Sequence, residues 1–193
     1  RKKYTLNENF KGSVTWYFDD YSIMVVELAK IFTSKILIGK AEKTQGIGIL
    51  RHALWPLSFK FIDYTLLTNM LKNNDGGYGL IQEDTPLDKW IARQYRAVNF
   101  TGAKTVKKDL NLKKDLIIHG EGIVEVEYSE ETLKTLDEIY EKTADLGDLF
   151  KHYARNAFTK IPAEIKVTIT RNPELAELIK EQFVQKYFGG EGK

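Results

Sequence analysis

From Glu164 to Thr170 the chain alternates without a break, with Ile165, Val167 and Ile169 on one side of an extended backbone and Lys166, Thr168 and Thr170 on the other. A period of two with apolar and polar sides is the mark of a strand that is buried on one face and wetted on the other. The chain must therefore build a sheet and cover at least one face of it. The neighbouring segments fit that demand. Leu116 to Ile118 and Ile123 to Tyr128 flank His119-Gly120-Glu121-Gly122, which reads as a β-hairpin whose glycines permit the turn. Ser129 offers an N-cap, Glu130 and Glu131 favour the positive end of a helix, and Leu133, Leu136, Ile139 and Tyr140 continue its apolar stripe. Asn172-Pro173-Glu174 starts a last helix carrying Leu175, Leu178, Ile179, Phe183 and Tyr187. The tail thus reads strand, strand, helix, strand, helix. That order predicts a mostly antiparallel sheet with helices on one face.

The first half reads differently. Ser13 to Phe18 is a β-branched and aromatic run that suits a short strand, and Tyr21 to Phe32 has the three-and-four spacing of an amphipathic helix. Gly39 to Gly46 reads as a charged loop before Ile47 to Trp55, and Pro56 breaks or kinks the next segment. Leu57 to Leu71 predicts a buried helix ending in the turn Asn73-Asn74-Asp75-Gly76-Gly77. Thr85-Pro86-Leu87-Asp88 combines an N-cap, a first-turn proline and a capping-box acid, so a helix begins there. The expected fold class is α/β of the α+β type: a helix-rich N-terminal part followed by a C-terminal ββαβα unit. The expected division is a helix-rich lobe with short strands over 1–103 and an α+β lobe over 104–193, with one continuous domain as the alternative.

Composition narrows the chemistry. With 42% hydrophobic and 29% charged residues, a chain of 193 residues is able to bury a core. Cysteine is absent, which removes disulfides, thiolate nucleophiles and cysteine-bound metals, and His52, His119 and His152 are not at metal-ligand spacing. No metal and no cofactor is expected. No apolar run approaches the roughly 18 residues that span a membrane, so a cytoplasmic, intracellular location is expected. The first residue is Arg1, so the chain is read as trimmed, processed or cut from something longer.

Four segments are candidates for function. Lys43-Thr44-Gln45-Gly46-Ile47-Gly48 places two glycines where backbone amides opening a helix would hold a pyrophosphate. The segment resembles the acyl-CoA-binding turn of the GNAT acetyltransferases, with Lys43 at the position of its usual Arg or Gln. Ala92 to Phe100 is similar to that family's later segment, with Asn99 in place of a glycine. The resemblance implies an N-acyltransferase with Gly46 and Gly48 as cofactor-binding residues; the competing account is a loop before a core helix. Glu125 and Glu127 share a strand face, and Glu164-Ile165-Lys166 has the E-x-K pattern of metal-dependent nucleases, although opposite charges on strands also pair simply for structure. The stretch from Arg93 to Lys114 is basic, and Arg93, Arg96, Lys104, Lys107 and Lys108 are the candidate phosphate contacts. Glu181 to Phe188 resembles a sliding-clamp-binding box, whose apolar residues need burial either internally or by a partner.

These features together favour a non-catalytic binding or structural protein, associated with nucleic acid or part of a self-assembling complex, with self-association or a protein partner engaged through the C-terminal helix. An acyl-CoA-dependent N-acyltransferase is the alternative, and a metal-dependent nuclease the third.

Overall fold

A computed structural model of the chain describes residues 4–7, 9–34, 36–39, 44–53, 74–97, 104–105, 114–145, 147–149, 151 and 162–189. The alternation of Ile165, Val167 and Ile169 is realised in a strand, β7 (Pro162–Arg171), that lies near one edge of a seven-stranded sheet. In chain order the elements are β1 (Gly12–Asp20), α1 (Tyr21–Thr33), β2 (Thr44–Leu50), β3 (Asn74–Ile81), α2 (Pro86–Ala97), β4 (Lys104–Thr105), β5 (Lys114–His119), β6 (Gly122–Tyr128), α3 (Glu130–Glu141), β7 and α4 (Pro173–Phe188). The strands lie side by side as β1-β7-β6-β5-β2-β3-β4.

Local chemistry explains most boundaries. Asp20 ends β1 and caps α1, its carboxylate accepting from the Ser22 and Ile23 amides, and Met24, Val25, Leu28 and Ile31 then fall on the buried side. Gly120, at φ 61°, makes the β5–β6 turn; a Cβ there would sit 2.3 Å from the Leu37 carbonyl oxygen, so both the conformation and the close approach require glycine. Ser129 and Asn172 cap α3 and α4 with side-chain oxygens that accept from Thr132 N and Leu175 N.

The sheet corrects the expected fold class in three respects. The N-terminus opens on a nine-residue strand, and β2 and β3 stand where a loop and a turn were expected, so this part is not the helix-rich lobe. The sheet is mixed: β2 pairs parallel to β3, and β3 parallel to β4, beside the antiparallel β1–β7–β6–β5–β2 run. The helices cover both faces. One core joins α1 and α3 to Trp16, Phe18, Val124, Val126, Val167 and Ile169, while a second seats Ala176, Phe183 and Phe188 of α4 on Ile47, Leu80, Ile118 and Ile123. The reason β2 and β3 escape notice is their composition. Strands with neighbours and cover on both sides lose the polar alternation, and Gly46 opposite Gly77 and Gly48 opposite Gly79 look like turn punctuation. The helix expected over Leu57 to Leu71 lies outside the described residues.

Candidate functional site

The basic stretch begins on α2. Thr85 opens this helix with a reciprocal cap, its hydroxyl accepting from Asp88 N and donating to the Asp88 carboxylate at 2.7 Å. Leu87, Ile91 and Ala92 point into the core, which turns Arg93 and Arg96 outward to solvent. Lys104 behaves differently. Its strand β4 pairs with β3, and its Nζ donates to the Tyr187 carbonyl at 2.9 Å and lies 4.4 Å from the centre of the Phe188 ring. The ammonium therefore sits on the negative end of α4, half-buried. Lys107 and Lys108 lie outside the described residues.

Gly46 and Gly48 lie within β2, between β3 on one side and β5 on the other. An acyl-CoA turn needs amides at the start of a helix, whereas here the two glycines are interior positions of a central strand, and the described residues that follow it, 51–53, are not helical. The expected loop-to-helix turn is thus replaced by a strand. The carboxylates of the nuclease reading are cross-strand ion pairs on an open face: Glu125 with Lys114, and Glu127 with Lys166 at 3.2 Å. Glu164 is exposed and lines the same open cleft as Glu127 and Lys166, and no metal-holding group of His, Asp and Glu occurs among the described residues. On α4 two of the aromatic residues in the clamp-like segment are used internally, while Tyr187 is half-buried. Phe183 and Phe188 are buried, 5.8 Å apart, and Phe188 packs on Tyr78 at 4.8 Å.

The most elaborate arrangement of charge lies elsewhere, just past the carboxyl ends of β2 and β3, where open α/β sheets commonly place their sites. Arg51 leaves β2 and sends a bidentate pair of bonds from Nε and Nη2 to Asp137 of α3 at 2.9 and 2.8 Å. Its backbone N–H donates to Asp115, which also accepts from the Tyr128 hydroxyl at 2.7 Å. His52, 4% exposed, donates from Nδ1 to Asp88 and from Nε2 to Asp137, both at 2.9 Å, and stacks on Tyr140 at 4.2 Å. Asp88, 0% exposed, further accepts from Ala53 N, while Tyr140 donates to the Ala53 carbonyl. Glu83 stands 3.6 Å from Arg51 at the rim.

Electrostatics follow from that geometry. Burial pulls the His52 pKa down, but the bonds to Asp137 and Asp88 and their negative charges outweigh it and raise it to about 9. For Asp137 burial acts upward, and the His52 and Arg51 bonds prevail, bringing it to about 2. Asp115 is raised to about 6 because its burial exceeds the help it receives from Tyr128 and Arg51. With both ring nitrogens on carboxylates, His52 holds its proton tightly. The cluster is a lock joining β2, β5, α2 and α3.

Residue spacing could not reveal this cluster, since its members are scattered from Arg51 to Asp137. The usable signal was an Arg-His pair at the end of an apolar run, and it is weak. His119 lies at the other end of β5, buried, with Nε2 unpartnered; burial lowers its pKa to about 4. An open cleft of ≈ 1000 Å³ near the end of β1 is lined by Tyr17, Asp19, Ile23, Glu27, Glu127 and Lys166 among others.

No family model matches this sequence, and no curated protein does. Among solved structures it is similar to TrmBL2, an archaeal chromatin protein whose structure shows a novel mode of DNA binding. The two are 12% identical with a TM-score of 0.42, over 90% of this chain and 52% of that one. The chain spans about half the length of that structure. Among the described residues no helix is long and apolar enough to cross a membrane.

Proposed function

We propose that the chain is a non-catalytic binding protein that associates with nucleic acid through the basic stretch beginning at Arg93. The observation that carries this reading is the seating of α2: its inner face is fixed in the core, so Arg93 and Arg96, one turn apart, are held outward on a rigid support. Two guanidiniums so placed suit phosphate oxygens, and Lys107 and Lys108 continue the charge along the sequence. Lys104 has a supporting part, anchoring β4 to the end of α4 beside this surface. The buried ion lock fits the same reading, because its groups are consumed in holding elements together. An intracellular location accords with it.

Contacts of this kind are made to the backbone of the nucleic acid and depend on counterion release, so binding should weaken as salt rises and show slight sequence preference. Fluorescence anisotropy with duplex and single-stranded oligonucleotides, beginning at low salt, measures both. The double variant Arg93→Glu/Arg96→Glu is expected to lose at least about tenfold in affinity and to lower the slope of log K against log salt by about two, close to one per phosphate contact. Absence of binding by the intact protein at low salt, or an unchanged slope in the variant, would overturn the proposal.

A further inference from the structure

The cleft of ≈ 1000 Å³ at the end of β1 takes no part in the ion lock or in the basic surface. Its floor is apolar, built from the buried Phe18, Ala163 and Ile165, and Tyr4 stacks on Phe18 at 4.3 Å beside it. Two more apolar groups stand at its rim in water: Tyr17 is 60% exposed and Ile23 47%. They are two of the four large hydrophobic side chains exposed among the described residues, and they share one opening. Apolar surface gathered at a concave opening, unlike the scattered kind, marks a place of contact.

Among the described residues the charge of the cleft is negative. The carboxylates of Asp19, Glu27, Glu127 and Glu164 line it, against Lys30 and Lys166. Both lysines are taken, Lys30 by Glu27 at 2.7 Å and Lys166 by Glu127 at 3.2 Å. Asp19 and Glu164 are exposed and have no ion-pair partner among the described residues. The strand register brings these two together. Phe18 lies opposite Ile165 and Asp20 opposite Pro162, so the bulge between them leaves Asp19 facing Ala163 and Glu164. Like charges so placed on neighbouring strands repel, and a bound cation relieves this. The Tyr4 phenol feels the same field: burial, then the charges of Asp19 and Glu27, raise its pKa. An anion finds no hold, because Asp20 already accepts from the Ser22 and Ile23 amides at the start of α1. A bare metal ion finds none either, since no group of three metal-holding side chains occurs among the described residues.

We propose that the cleft binds an extended peptide segment of a partner protein, in which arginine or lysine alternates with apolar residues. The cations meet Asp19 and Glu164, and the apolar side chains lie on Tyr17 and Ile23. Size and charge both select this occupant. The volume stands at the upper end of pockets for small molecules, roughly 300–1,000 Å³, and the opening is wide, so a few residues of a chain fill it better than an enclosed small molecule. A segment of this kind covers the apolar rim while its charges neutralise the carboxylates, whereas the same carboxylates repel a phosphate backbone. Exposed ion pairs add little energy each, so binding is weak and the charges act mainly through encounter and specificity. The site is independent of the proposed nucleic-acid surface, since α2 packs against β3 and β4 at the opposite edge of the sheet.

Fluorescence anisotropy with a labelled hexapeptide alternating arginine and leucine tests this on the intact chain. Saturable binding is expected at low salt. Replacing the arginines of the peptide with glutamates should weaken it at least about tenfold, and replacing its leucines with serines at least about threefold. The double variant Asp19→Asn/Glu164→Gln should lose roughly two- to thirtyfold in affinity, together with most of the salt dependence. Tyr17→Thr/Ile23→Gln should lose affinity with the salt dependence retained. All four positions are exposed, so the circular-dichroism spectrum should be unchanged in both variants. Absence of binding at near-millimolar protein, equal binding of the glutamate peptide, or binding that survives both variants overturns the proposal. So does binding that appears only once Arg1, Lys2 and Lys3, which precede Tyr4 in the sequence, are replaced by serine, since the occupant is then the chain's own basic segment. A dimer in sedimentation velocity that the peptide dissociates overturns it as well, by assigning the cleft to a second copy. Oligonucleotide binding should be the same in both variants, so this reading and the nucleic-acid reading fail separately.

Discussion

His52 is gripped by a carboxylate at each nitrogen, and that grip sets how the protein responds to alkali. In the unfolded chain its pKa is near the ordinary 6.5, and in the folded protein about 9. A raised histidine stabilises fully below the unfolded value, and the contribution is lost as pH rises through the folded one. The window is thus about pH 6.5 to 9, and the loss is on the order of 3 kcal/mol for this 4% exposed group. Urea denaturation at a series of pH values should show the decline, and His52→Gln should flatten it; equal slopes in both proteins would refute the assignment. On the acid side the signs differ by residue. Asp137, lowered to about 2, contributes above its unfolded value and loses this as pH falls through 2. His119, lowered to about 4, costs stability as pH falls from 6.5 through 4, whereas Asp115, raised to about 6, works the opposite way. The alkaline limb is therefore the cleaner test. None of these residues advertised itself in sequence, where His52 was a lone histidine and Asp88 only a capping acid.

At the scale of elements, legibility followed locality. The hairpin of β5 and β6, the helix starts at Ser129 and Asn172, and the alternation of β7 all lie in short windows, and each was readable there. β2 and β3 were not, because a glycine-rich strand between two neighbours shows neither alternation nor bulk. Lys104 marks a different limit. A lysine in a basic stretch reads as a solvated charge, yet its target is the last turn of α4, far along the chain. Lys104→Met is expected to cost about 1–2 kcal/mol through the lost carbonyl bond and ring contact, while Arg93→Ala, on an exposed helix face, should cost within about 0.5 kcal/mol. Comparison of denaturation midpoints decides this; equal effects would mean that Lys104 has no anchoring part.

For the whole molecule the decisive fact is that one sheet threads the chain from end to end. β1 lies beside β7, with Ser13 opposite Thr170, and β2 lies between β5 and β3. The ion lock then ties the ends of β2 and β5 to α2 and α3. Such sharing predicts a single cooperative unfolding transition. Trp16 in β1 and Trp90 on α2 report from opposite edges, so variants keeping one or the other tryptophan should give coincident midpoints; separated midpoints would instead support a division near residue 103. The sequence by itself determined what depends on neighbours within about a turn: the alternation of β7, the apolar stripes and starts of the helices, and the glycine-bearing turn of the hairpin. Only the tertiary structure decided which strands adjoin, that β2, β3 and β4 run parallel, and that Arg51, His52, Asp88, Asp115 and Asp137 meet. The physical reason is range. Alternation and capping act through covalent spacing, whereas strand order and buried charge pairs are chosen by which distant faces desolvate together, and no local pattern encodes that choice.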